Sequence, residues 1–294
     1  MAVGVRTSLK QPREWEQATR MDEAVLSGSL VRVRSADPTS LTQAGARVAI
    51  RFGYLDILEY LRDNARPAFE RHYGVDGARI PNLASQLGRT SVLEWWLASG
   101  DFPKIYRADA MDDASTNGHV QVLEWWLQSR LPLKYTEASL EHASAKGHIA
   151  VLAWWKQSGL PLKIGRVMES AAKAPTFDAL DWWARSQLDF KYDNAAVLHA
   201  SCAGKVEVLR WWHESGLQMM YDREVLTGAT RHNRPEVLEW WGKSGLPIQY
   251  RICDIEEALE DAVRPGSESK EWWARRGVNF NATNVEWMKW KNLN

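Results

Sequence analysis

Cysteine is scarce in this chain: Cys202 and Cys253 stand far apart and in no Cys-x-x-Cys or Cys/His cluster. That excludes a disulfide framework or a zinc site as the basis of the fold, and the expected setting is reducing and intracellular, most simply the cytoplasm. Long apolar runs are missing too. Nothing approaches the about 18 residues of a membrane span, and the opening MAVGVRTSLKQPREWEQ lacks the apolar core of a signal peptide, so neither a membrane segment nor a leader is expected. Net charge is absent, with 37 basic against 37 acidic residues, which argues against a whole-chain footprint for nucleic acid or anionic lipid. The motifs HExxH, GxSxG, GxxxxGK[ST] and GxGxxG do not occur, and no serine or cysteine has a base and an orienting carboxylate nearby in sequence. No enzyme activity, cofactor or metal is therefore expected.

What the chain does have is tryptophan, 17 in 294 residues, within a composition of 45% hydrophobic and 25% charged residues that suits a folded protein. Fourteen of them form pairs: Trp95-Trp96, Trp125-Trp126, Trp154-Trp155, Trp182-Trp183, Trp211-Trp212, Trp240-Trp241 and Trp272-Trp273, at steps of 30, 29, 28, 29, 29 and 32 residues. A fixed period of that size is the signature of stacked repeats. The copies SVLEWWLASG, QVLEWWLQSR, AVLAWWKQSG, DALDWWARSQ, EVLRWWHESG and EVLEWWGKSG share two apolar residues, a polar one, the pair and a polar tail; DILEYLRDN is the same unit with Tyr60 and Leu61 at the paired positions.

Seven residues before each pair stands a turn former: Gly53, Gly88, Gly118, Gly147, Pro175, Gly204, Asn233 and Pro265. Glycine and asparagine tolerate the left-handed backbone that ends a helix, and proline can open the next. Small residues recur four and three places before this hinge, as in Ala114-Ser115, Ala143-Ser144 and Ala200-Ser201, with a larger apolar residue such as Met111, Leu140 or Met168 seven places before it, on the same helical face. Each unit therefore reads as two short antiparallel helices, joined to the next by a connection such as SGLPLKI, with Gly159, Gly216 and Gly245 as helix-ending glycines.

The stretch ASLEHASAKGHIAVLAWWKQSG, residues 138–159, resembles an ankyrin repeat: Ala143, Ser144, Gly147, His148, Val151 and Leu152 match its small residues, its Gly-His hinge and its apolar run, and Trp154 and Trp155 take the paired-leucine positions. The resemblance covers roughly residues 40–280. It implies an all-α fold, an ankyrin-like, right-handed α-solenoid of antiparallel helix pairs. Only LPLKYTE separates Arg130 from Ala138, too little for the hairpin finger of a repeat of about 33 residues, so shortened or absent β-hairpin fingers are expected. The expected organisation is a helical N-terminal cap over 1–38 with no hinge signature, about eight repeats over 39–280, and a C-terminal capping helix over 281–294. Residues 64–80 lengthen one connection, and an insertion on such an array usually projects from one face.

The resemblance implies a protein-protein interaction adaptor or scaffold; a structural subunit of a larger assembly is the alternative within that class. Trp95, Trp96, Trp125, Trp126, Trp154, Trp155, Trp182, Trp183, Trp211, Trp212, Trp240 and Trp241 are expected to form the structural core, because such units bury surface only by stacking. A single-stranded nucleic-acid or small-ligand platform is the competing reading of the same residues. The partner is expected to meet the first-helix face, where residues change from unit to unit within a constant frame: Asp109, Asp112, Asp113, Glu141, His142, Glu169, His199, Arg231 and His232. A solvated helix face would vary in the same way. Lys104, Lys134, Lys163 and Lys191 could form a basic stripe along one edge, or merely a solvated row. The resemblance also implies that His119 and His148, next to hinge glycines, hold the turn rather than bind metal or act in catalysis.

Overall fold

The computed structural model describes residues 15, 17–100, 102–262, 268–280 and 284–294. Among the described residues there are 20 α-helices, helix accounting for 63%, and the strands Gln249–Tyr250 and Lys291–Asn292 have two residues each, so the fold is all-α. Contacts gather into two compact units, residues 1–139 and 140–294.

In the first unit the helices pair as Arg20–Leu26 with Leu30–Ser35, Gln43–Phe52 with Leu55–Asn64, Ile80–Gln86 with Thr90–Ala98, and Asp109–Thr116 with Val120–Gln128. Each first helix packs against the next first helix. The second unit continues the pattern with Val167–Lys173 and Asp178–Arg185, Ala195–Ala203 and Val206–Glu214, and Glu224–Arg231 and Pro235–Lys243. Here too each first helix stacks on its successor, and Glu224–Arg231 on Ile252–Glu260.

The hinges explain the pairing. Gly53, Gly88, Gly118, Gly147 and Gly204 hold φ between +68° and +79°, and Asn233 holds +50°. This left-handed residue lets the next amide turn back on the helix it has just left: His119 N–H reaches Ala114 O at 2.9 Å, Lys205 reaches Ala200 at 2.9 Å and Arg234 reaches Ala229 at 2.8 Å. The copy broken by Pro175 cannot close this way. Its first helix ends at Lys173, and the side chain of Lys205 takes over, with Nζ donating to the carbonyls of Ala172 and Lys173 at 2.9 Å each and of Ala174 at 3.2 Å.

Two expectations need correction. The N-terminal helix pair does have a hinge, Gly28 at φ +65°, with Met21, Ala24 and Val25 buried at the seventh, fourth and third places before it. The degenerate second helix LVRVRS, with no aromatic where the pairs stand, hid it. Residues 1–14 and 16 of the expected cap lie outside the described residues. The 64–80 insertion does not project: it forms the helix Arg66–Tyr73, buries Phe69 and Tyr73, and ties the Tyr73 hydroxyl to Ala46 O at 2.8 Å, a burial that pushes the phenol pKa up.

In the second unit the connections between helix pairs contain no helix among the described residues. Residues 188–192 and 217–221 alternate half-buried and exposed side chains, the period of a strand, but among the described residues only Gln249–Tyr250 is paired as one. Its partner is the C-terminal strand Lys291–Asn292, which follows the helix Asn284–Met288. No helix among the described residues is long and apolar enough to cross a membrane.

Candidate functional site

The two tryptophans of each pair do different things. The second, at 96, 126, 155, 183, 212, 241 and 273, is fully buried. Its indole N–H needs an acceptor there, and the preceding first helix supplies one: Trp126 donates to Ser85 Oγ at 2.9 Å, Trp183 to Ser144 at 2.8 Å, Trp241 to Ser201 at 3.3 Å and Trp273 to Thr230 at 3.0 Å. The hydroxyl in turn donates back along its own helix, as Ser144 does to Leu140 O at 2.7 Å and Ser201 to Val197 O at 2.9 Å. The acceptor always stands three places before the hinge. Where that place holds Ile50 or Ala172, the indole of Trp96 or Trp212 is buried with no hydrogen-bond partner.

The first tryptophan lies at the edge of this core. Trp95 and Trp272 are buried, but Trp125, Trp154, Trp182, Trp211 and Trp240 are only partly so, which corrects the expectation that both rows form the core alike. The acidic residue of the preceding unit's second helix accepts the indole N–H in three cases: Glu59 from Trp95 at 3.0 Å, Asp181 from Trp211 at 2.7 Å and Glu239 from Trp272 at 2.7 Å. At Glu59, Asp181 and Glu239 the acidic residue two places before the second aromatic or apolar member of its pair is thus a spacer in its own helix and a clamp on the next.

Several of the expected recognition residues are structural. Asp112 is buried; it accepts from Thr136 N–H at 2.9 Å, Thr136 Oγ1 at 2.7 Å and Ser139 Oγ at 2.5 Å, so it holds the start of the next first helix and is not an exposed contact. Asp22, six places before Gly28, does the same for Thr42 N–H at 2.9 Å while fully buried. Glu141 accepts Arg166 N–H at 2.6 Å from the residue that opens the helix Val167–Lys173. At Asp22, Asp112 and Glu141 a carboxylate six places before the hinge thus holds the start of the following repeat, whereas Glu169 at the same place pairs with Lys173 and Arg166 of its own repeat. That spacing marks Asp22 in the sequence once Gly28 is seen as a hinge.

Among the remaining candidates Asp109 and His142 are exposed, and Asp113 and His232 half-buried. Glu169 is half-buried between Lys173 at 2.8 Å and Arg166 at 3.3 Å, and the Lys173 hydrogen bond holds its carboxyl below the usual range. His199 faces Glu169, Lys173 and Lys205; burial, reinforced by the two lysines, holds its pKa below the ordinary histidine value. Arg231 pairs loosely with Asp261 at 3.6 Å. The structure thus brings Glu169 and His199 into one charged neighbourhood with Lys173 and Lys205.

The residue after the hinge also has a fixed task. A ring nitrogen of His119 lies 3.1 Å from Gln86 O, Lys205 holds three carbonyls as above, and Arg234 Nε donates to Cys202 O at 3.3 Å. Each secures the end of the preceding first helix, consistent with a structural role for His119. The lysine row is similarly occupied in part: Lys104 Nζ donates to Trp96 O at 2.7 Å and Ser99 O at 2.8 Å, and Lys134 to Tyr106 O at 3.1 Å. No group of three or more His, Cys, Asp or Glu side chains converges as a metal set would among the described residues.

Two openings lie between successive connections of the second unit. One, about 680 Å³, is bordered by Tyr221, Arg223, Pro247, Ile248 and Trp290; the other, about 380 Å³, is bordered by Ile164, Arg166, Met168, Tyr192 and Ala196. Neither was visible from repeat periodicity, because Trp290 falls outside the paired pattern. No protein-family model matches the chain, and no curated protein does.

Proposed function

We propose that the chain is an ankyrin-like α-solenoid with reduced fingers that acts as a protein-binding adaptor or scaffold in a reducing compartment, where Cys202 and Cys253 stay free. The observation that carries this reading is the division of labour along each repeat. Positions seven, four and three before the hinge and the second tryptophan are buried, with alanine kept at the fourth, while Asp109, His142, His232 and the exposed members of the connections change freely around them. Such a frame presents a rigid surface that loses little ordering entropy on binding.

Affinity purification from the native cell tests it, comparing the wild type with a His142→Glu, His232→Glu variant of unchanged helical circular dichroism. A protein partner recovered by the wild type and lost from the variant supports the reading. Recovery of nothing beyond the chain itself overturns it.

One observation favours the second reading, a binder of single-stranded nucleic acid or a flat small ligand: Trp125, Trp154, Trp182, Trp211 and Trp240 keep part of their surface in solvent. The capture of Lys104 and Lys134 by backbone carbonyls weighs against it. A salt-sensitive shift of labelled oligonucleotides would establish that reading instead.

A further inference from the structure

The chain's own tail marks a mode of docking that a second place in the same unit could use. Lys291–Asn292 pairs antiparallel with Gln249–Tyr250, and Leu293 N–H donates to Ile248 O at 3.0 Å, so the tail runs as a strand beside the connection 246–250. Just before it, Trp290 forms one wall of the 680 Å³ opening, 45% exposed, with the guanidinium carbons of Arg223 and Arg251 at 5.1 Å and 4.9 Å from its ring centre. Three elements define this seat: an extended connection whose backbone can accept a strand, an apolar wall of Pro247 and Ile248, and an arginine at the residue that opens a first helix.

The same elements recur at 164–196. Arg166 opens the helix Val167–Lys173 as Arg223 opens Glu224–Arg231. Ile164, Met168, Tyr192 and Ala196 wall the 380 Å³ crevice. The connection 188–192 has the alternating burial of a strand, and among the described residues no backbone hydrogen bond joins residues 189–192 to another segment. The Arg166 side chain is 72% exposed, with Glu169 at 3.3 Å and Asp193 at 3.9 Å, so carboxylates border the crevice beside it, together with Lys191.

The geometry points to this crevice as the docking site for an extended segment of a partner protein, which adds a strand along 188–192 and places one aromatic side chain, followed by a lysine, against Arg166 between Ile164 and Tyr192. The aromatic-lysine order is that of Trp290-Lys291 in the tail, and the lysine meets Asp193, which Arg166 approaches only to 3.9 Å, whereas Glu169 is already held by Lys173 at 2.8 Å. The inference rests on the adaptor reading and gives its partner a chemistry.

Selection of short random peptides displayed on phage against the full chain tests it, followed by titration of the selected peptides against wild type, Arg166→Ala and Ile164→Asp, with circular dichroism as the folding control. The expected result is enrichment of an aromatic residue followed by lysine and a loss of affinity of about tenfold in both variants, as removal of a partly desolvated cation–aromatic contact would give. Trp290→Ala, which empties the other seat, should leave that affinity unchanged. Selected peptides that bind all variants equally would overturn the crevice while leaving the adaptor reading standing. Failure to enrich any peptide also overturns it, and affinity purification then decides the adaptor reading separately.

Discussion

The repeat at 167–185 turns at Pro175 and carries Ala172 three places before it, where its neighbour at 195–214 turns at Gly204 and carries Ser201. Both fold into the same helix pair and each stacks on the next first helix. The difference lies in where the polar groups go. Gly204 lets the backbone cap its own helix, whereas the Pro175 repeat borrows Lys205 from its neighbour. Ser201 receives the Trp241 indole, whereas Ala172 leaves the Trp212 indole without an acceptor. A repeat can thus lose a local signal and keep its shape if an adjacent repeat supplies the missing group, and where none does, the joint is weaker.

The largest effect should come from removing what both repeats share. Trp183→Ala deletes a fully buried indole and should lower stability by about 3–5 kcal/mol, read from urea unfolding. A loss below about 1 kcal/mol would show that these tryptophans are not the core of the joint. Next, Lys205→Met strips three carbonyls of their donor and should cost about 2–3 kcal/mol, with faster amide exchange over 167–175. Arg234→Met, which loses one bond of 3.3 Å beside a helix that already has its own backbone cap, should cost well under half as much. Equal losses would mean that Pro175 imposes no special demand.

The joints themselves come third. Ser201→Ala should orphan the Trp241 indole and cost about 1–2 kcal/mol, turning this repeat into a copy of its weaker neighbour. The reverse change, Ala172→Ser, should gain about 1 kcal/mol by offering Trp212 the acceptor it lacks. If Ala172→Ser destabilises instead, the buried space there is too tight for a hydroxyl.

Much of this plan was legible in the sequence because it depends on periodic positions. The hinges from Gly53 onward, the small pair and the tryptophan period follow from helical spacing alone, but which tryptophan of each pair is fully buried does not. Two further things were not legible. A carboxylate six places before the hinge looks exposed on a helical wheel, and only the approach of the next helix buries Asp112 or engages Glu141. The seat of Trp290 depends on a tail that returns over a distant connection, which no repeat period encodes. The residues expected to recognise a partner were therefore in part those that recognise the next repeat.

The smallest effect concerns His199, at the joint of the two repeats. Burial, and then the positive charges of Lys173 and Lys205, hold its pKa below the ordinary value of 6.5, with Glu169 opposing them. A histidine whose pKa is lower folded than unfolded binds fewer protons in the folded state. Its contribution is therefore fully present above about pH 6.5 and is lost as pH falls through that value toward the folded midpoint. NMR titration of the imidazole should place the midpoint below 6.5 in the wild type and higher in Lys205→Met, because one cation has gone while burial remains. A midpoint that does not move in that variant would mean that burial alone sets it. The lysine that replaces a hinge glycine's work would then be electrically silent at this joint, and its whole effect would lie in the three carbonyls it holds.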